Sequence, residues 1–207
     1  MITKTDKSLR WLEKKLFEPR RKRTYLLLFL CLTAGLIALW FDMFKGEQAL
    51  ALSWIIIAMI SGTRTALSCM DGSTKSLIAL KGNVKQVIVN KIILPVYRSE
   101  VFTLLFALSA FVMLLIKQTV DIFFLLRVAL CVIGTPIMIF FTVTTYLIIR
   151  GFARTAVHFL TIAVFNAIII AEQMATLAYV GEAVFIAVLF LISEILAGKL
   201  TGETLSK

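Results

Sequence analysis

Apolar residues in this chain come in runs of about 20, joined by short polar connections, and that spacing constrains the fold more than any other feature. A helix of that length crosses a hydrocarbon core about 30 Å thick. Six runs qualify: Tyr25–Phe44, Ala49–Ser68, Val101–Ile116, Ile122–Ile149, Ala156–Val180 and Ala183–Gly198. Hydrophobic residues make up 60% of the 207 and charged residues 16%, against roughly 45–50% and 25% in soluble domains. The expectation is an all-α, polytopic membrane protein with six transmembrane helices. The first run follows a long charged segment and exceeds a signal-peptide core in length, so it reads as a span. Cys31, Cys69 and Cys131 fall in or beside apolar runs with no C-x-x-C spacing, and read as small apolar residues.

Basic residues sort sharply between the two sets of connections. With the N-terminus cytoplasmic, the inner segments hold nine Lys and Arg before Tyr25, six from Arg64 to Arg98, then Arg150, Arg154, Lys199 and Lys207. The outer connections hold only Lys45 and Lys117, and Arg127 lies within a span. This asymmetry fits the positive-inside rule, with both termini cytoplasmic. It also accounts for most of the net charge of +10 without nucleic acid, because anionic headgroups attract a basic inner face.

Before the first span, residues 1–24 place Leu9, Leu12 and Leu16 at helical spacing beside Trp11 and Phe17, opposite a Lys/Arg/Glu face. That pattern predicts an amphipathic helix lying in the membrane interface and ending before Pro19. The spans are expected over 25–200, with a cytoplasmic tail at 201–207.

Between spans two and three, Met70–Lys91 carries Leu77, Leu80, Val84, Val87 and Ile88 on one helical face. Gly82-Asn83 offers a break, and Asp71 an N-terminal cap, so two short cytoplasmic helices are expected. The run "DGSTKSLIALKGNVKQVIVNKII" resembles the segment that contains the coupling helix in type-2 permeases of ATP-binding-cassette exporters. It departs from that pattern in lacking the usual Pro after the Leu pair and in reducing the acidic–basic cluster to Asp71. The resemblance implies that Asp71, Gly72, Lys75, Leu77, Leu80, Lys81 and Val84 dock a separate nucleotide-binding ATPase subunit. ATP and Mg would then sit on that partner, with no cofactor on this chain. It further implies a second permease copy or paralogue and a bacterial-type plasma membrane. The chain itself carries no phosphate-binding G-x-x-x-x-G-K-[ST], so it is not expected to be an enzyme.

Polar residues within the spans are candidates for a translocation path or an intramembrane pair: Arg127, Asn166, Glu172, Gln173 and Glu194. An unpaired charge there costs a few kcal/mol or more. Arg127 in span four and Glu172 in span five lie at similar depths and are expected to pair, unless Arg127 snorkels outward alone. Thr142, Thr144 and Thr145 suit interhelical packing, a dimer interface or a substrate path. Gly134-Thr135-Pro136 is expected to kink span four. His158 is the sole histidine, and no metal or catalytic set accompanies it. Two other readings stay open: a non-enzymatic membrane scaffold or accessory subunit, and an intramembrane hydrolase using His158 with Cys69 or Ser68.

Overall fold

The computed structural model describes residues 25–41, 45–70, 84–119, 122–170 and 175–200. The described residues form helices: α1 (Tyr25–Trp40), α2 (Gly46–Cys69), α3 (Val84–Ile116), α4 (Ile122–Ile148), α5 (Gly151–Ile170) and α6 (Ala175–Gly198). Five of them, α2 to α6, are long and apolar enough to cross a membrane. The shorter α1 measures about 24 Å at 1.5 Å per residue.

Contacts fix the direction of each helix. Tyr25 meets Phe102 at 6.1 Å between ring centroids, and Trp40 meets Lys117, so α1 runs parallel to the apolar half of α3. Lys117 Nζ donates to the carbonyl oxygens of Leu39 and Trp40 at 3.3 and 2.8 Å. A cation on the last carbonyls of a helix satisfies groups the helix leaves unpaired, which explains why α1 stops short of the expected Phe44. α2 and α3 run antiparallel, with Ser99 Oγ donating to Ser61 Oγ at 2.6 Å and Lys91 Nζ to the Ser68 carbonyl at 3.1 Å. α2 and α4 run parallel: Trp54 bonds Thr135, and Gly62 abuts Thr142 eight and seven residues further on. Successive helices therefore alternate in direction. The start of α1 and the α2–α3, α4–α5 and post-α6 connections share one end of the bundle, the end that collects the basic residues.

The centre is the α2–α4 contact. A Cβ on Gly134 would lie 2.7 Å from Trp54 and 3.0 Å from Ile186, and one on Gly62 would lie 2.6 Å from Thr142, so the absent side chains set the helix separation. Every residue from Met138 to Thr145 is buried. A helix buried all round has no polar face to show, which is why this stretch is apolar except for threonines. Those threonines are satisfied locally: Thr142, Thr144 and Thr145 donate to the carbonyls of Met138, Phe140 and Phe141 at 2.8, 3.0 and 2.7 Å. All three are buried inside the bundle. α4 runs as one helix through Pro136. At its end, Gly151 adopts φ +61°, the left-handed conformation that turns the chain directly into α5.

Two span boundaries differ from the sequence expectation. The fifth span was expected to run to Val180, but α6, described from Ala175, packs back on α5 through Phe165–Phe185 and Ile168–Gly181, so the last residues of that run belong to α6. The third was expected to begin near Val101, but α3 begins at Val84. The second of the two expected short helices is thus the first part of α3. Its Val87 and Ile88 are buried against the chain's own core rather than presented outward.

Candidate functional site: a buried ion pair between α4 and α6

Arg127 lies in the second turn of α4 and is fully buried. Its Nε is 3.2 Å from Oε2 of Glu182 on α6, also fully buried. The guanidinium sits 4.6 Å from the centre of the Tyr179 ring, one turn before Glu182. Tyr179 stacks on Phe123 of α4 at 5.6 Å and 15°, and its hydroxyl points to the Phe123 carbonyl at 3.4 Å. Phe123 and Arg127 are four apart, as helix neighbours are, and Tyr179 and Glu182 three apart. Two helical ridges therefore face each other as aromatic on aromatic and cation on anion. The pair lies near the less basic end of the bundle.

Arg127 is paired with Glu182, a partner the sequence reading does not name, and the expected pairing with Glu172 falls on a residue outside the described ones. The apolar runs Ala156–Val180 and Ala183–Gly198 leave Glu182 between them, whereas in the structure it lies within α6. Glu172-Gln173, the consecutive polar pair in the first of these runs, was the available signal for a boundary. Cutting there places Glu182 at the depth of Arg127. Glu172 and Gln173 themselves lie outside the described residues, as do residues 1–24, 71–83 and 201–207. That range takes in the interfacial helix and Asp71, Gly72, Lys75, Leu77, Leu80 and Lys81 of the docking segment. Val84 is the first residue of α3.

The remaining intramembrane candidates do not converge. Asn166 sits toward the outer end of α5, and its Oδ1 is buried with no hydrogen-bond partner among the described residues. Glu194 is half-buried near the opposite end of α6. His158 meets Thr145 Oγ1 at 2.9 Å. Tyr146 stacks beside the imidazole, and Arg154 lies 3.9 Å over the Tyr146 ring. The same hydroxyl lies within hydrogen-bond distance of the Phe141 carbonyl on its own helix. The Thr145–His158 contact ties α5 to α4 and puts a threonine, not Cys69 or Ser68, against the ring.

Chemically, the Arg127–Glu182 cluster can fasten two helices through a buried contact between opposite charges. No family model matches the sequence, and no curated protein or solved structure matches it. The fold and the buried pair therefore define an all-helical bundle with five helices of membrane-crossing length.

Proposed function

We propose that this chain is the transmembrane permease subunit of an ATP-binding-cassette transporter, exporting amphipathic or apolar cargo such as a peptide, drug or lipid. A separate ATPase docks on the segment around Asp71–Val84, on the basic side of the membrane. The observation that carries this reading is the length of α3. At 33 residues it spans about 50 Å, against a hydrocarbon core of about 30 Å. Its surplus lies at the basic end, leads directly from the docking segment, and is anchored by Val87, Ile88 and the Lys91–Ser68 bond. A partner pushing on the segment would move one continuous helix, interrupted in its hydrogen bonding only at Pro95, whose far part contacts α1, α2 and α4, which is what transmission of ATP-driven motion requires. The Arg127–Glu182 pair would latch the opposite end.

A second reading, a membrane scaffold or accessory subunit, is favoured by the packed interior, where Ser61 and Ser99 bond to each other and Thr135, Thr142 and Thr145 bond to their own helix. Affinity capture from native membranes separates the two. Recovery of a nucleotide-binding subunit that is lost on Leu77→Asp or Leu80→Asp supports the permease; unchanged recovery with both variants refutes the docking assignment. Capture of partners without ATPase activity supports the scaffold.

A further inference from the structure

We propose that the groove between α1, α2 and α5 binds an anionic phospholipid, with one acyl chain along α2 and the phosphate at Arg64. The groove has a volume of about 340 Å³. Ile56, Ile60, Arg64 and Leu67 form a stripe down one face of α2, while Leu27 of α1 and Ile162 of α5 make the walls. From Ile56 to Arg64 the stripe runs about 12 Å along the helix axis, the direction in which acyl chains lie in a bilayer. A helix about 10 Å across would need on the order of 900 Å³ over that length, so the groove suits a single chain rather than a protein segment in helical form.

Charge and depth select the headgroup. Arg64 lies at the basic end of α2, five residues before Cys69. Lys91 reaches the Ser68 carbonyl one turn beyond it, and Arg98 lies over Tyr25 at the start of α1, which marks this level as the membrane boundary. Among the described residues Arg64 makes no ion pair. An arginine at the mouth of an apolar slot, at headgroup depth, matches a phosphate above an acyl chain. This inference is independent of whether an ATPase docks on the same side.

The test is native mass spectrometry of the purified full-length protein, titrated with phosphatidylglycerol, phosphatidylcholine or soluble glycerol phosphate. Phosphatidylglycerol is expected to bind at least about fivefold more tightly than phosphatidylcholine, the worth of one basic contact at a membrane surface. Arg64→Gln should abolish that preference, Arg64→Lys should keep most of it, and Arg154→Gln, a change of charge elsewhere at the same end, should leave it intact. Leu67→Trp, which fills the groove, should weaken both lipids. Far-UV circular dichroism confirms that each variant is folded, and the Lys variant decides the matter if the Gln variant is not. The proposal is overturned if the wild type shows no preference, if Arg64→Gln retains it, or if glycerol phosphate binds as well as the lipid. A photocrosslinker at Leu67 should capture phospholipid; capture of residues 1–24 or of a second copy instead also overturns it.

Discussion

Replacing Arg127 by Met is expected to destabilise the protein far more than replacing Arg127 and Glu182 together by apolar residues. Nε and Oε2 lie 3.2 Å apart, which gives an attraction of about 5 kcal/mol at an effective dielectric constant near 20. Tyr179 beneath the guanidinium adds up to about 2 kcal/mol in a water-free site. Both groups are fully buried, so removing either leaves the other as a charge in hydrocarbon-facing protein. The single variants Arg127→Met and Glu182→Leu should each cost about 3–5 kcal/mol. The double variant exchanges the pair for apolar groups of comparable bulk and should fall within about 1–2 kcal/mol of wild type. The assay is reversible unfolding in mixed micelles, followed by helicity, arranged as a double-mutant cycle. A double variant as unstable as the two singles combined would refute the pairing. So would a coupling of Arg127→Met to Glu172→Leu larger than its coupling to Glu182→Leu.

Gly134→Ala places a methyl group against Trp54 and Ile186 and should cost about 1–3 kcal/mol in the same unfolding assay, as should Gly62→Ala against Thr142. Thr135→Val removes the acceptor of the buried Trp54 indole N–H, bonded at 2.9 Å, and should cost about 1–3 kcal/mol; Trp54→Phe leaves Thr135 bonded to the Cys131 carbonyl and should lose the indole's contacts without stranding a donor. Gln118 ends α3 at φ 56°, with Thr119 N–H donating to the Leu114 carbonyl and Gln118 N–H to that of Leu115, so Gln118→Gly should raise stability by about 0.5–1 kcal/mol. Asn166→Leu deletes a buried, unpartnered carbonyl oxygen and should leave stability unchanged or higher; lost transport with retained stability would mark Asn166 as functional. In a cysteine-free background, Lys45→Cys and Lys117→Cys should label from outside intact cells and Arg150→Cys only after permeabilisation; the reverse pattern refutes the assigned orientation.

Helix existence was legible because hydrocarbon demands long apolar runs, and α2 and α4 end within a few residues of where the runs do. What the runs do not encode is where helices turn or extend. Met174–Val180 is as apolar as a span interior, so hydropathy continues across Glu172-Gln173. The α5–α6 boundary shows itself in packing, where Gly181 lies against Ile168. In α3 the polar cluster Arg98-Ser99-Glu100 looks like a span edge. Ser99 is instead fully buried on Ser61, and the helix passes through it. Glu182 escapes notice as an Arg127 partner for the same reason: pairing depends on depth, and depth depends on a boundary that hydropathy leaves open.

The packed centre constrains how any transport could work. Met138–Thr145 is buried on every side, Trp54 links Thr135 on α4 to Phe165 on α5 at 5.3 Å, and Phe165 meets Phe185 on α6 at 5.5 Å. Opening a passage through these contacts would expose a buried tryptophan and break the hydroxyl bonds of α2, α3 and α4 together. Side chains of this size contribute about 1.5–3 kcal/mol each through burial, so separating even these three aromatics would cost an amount comparable with the whole stability of a typical domain, about 5–15 kcal/mol. A cargo path formed between two copies avoids that cost, since α5 and the outer face of α3 are already exposed at Phe152, Phe159, Leu160, Leu104 and Leu108. On that view each copy moves as a rigid body.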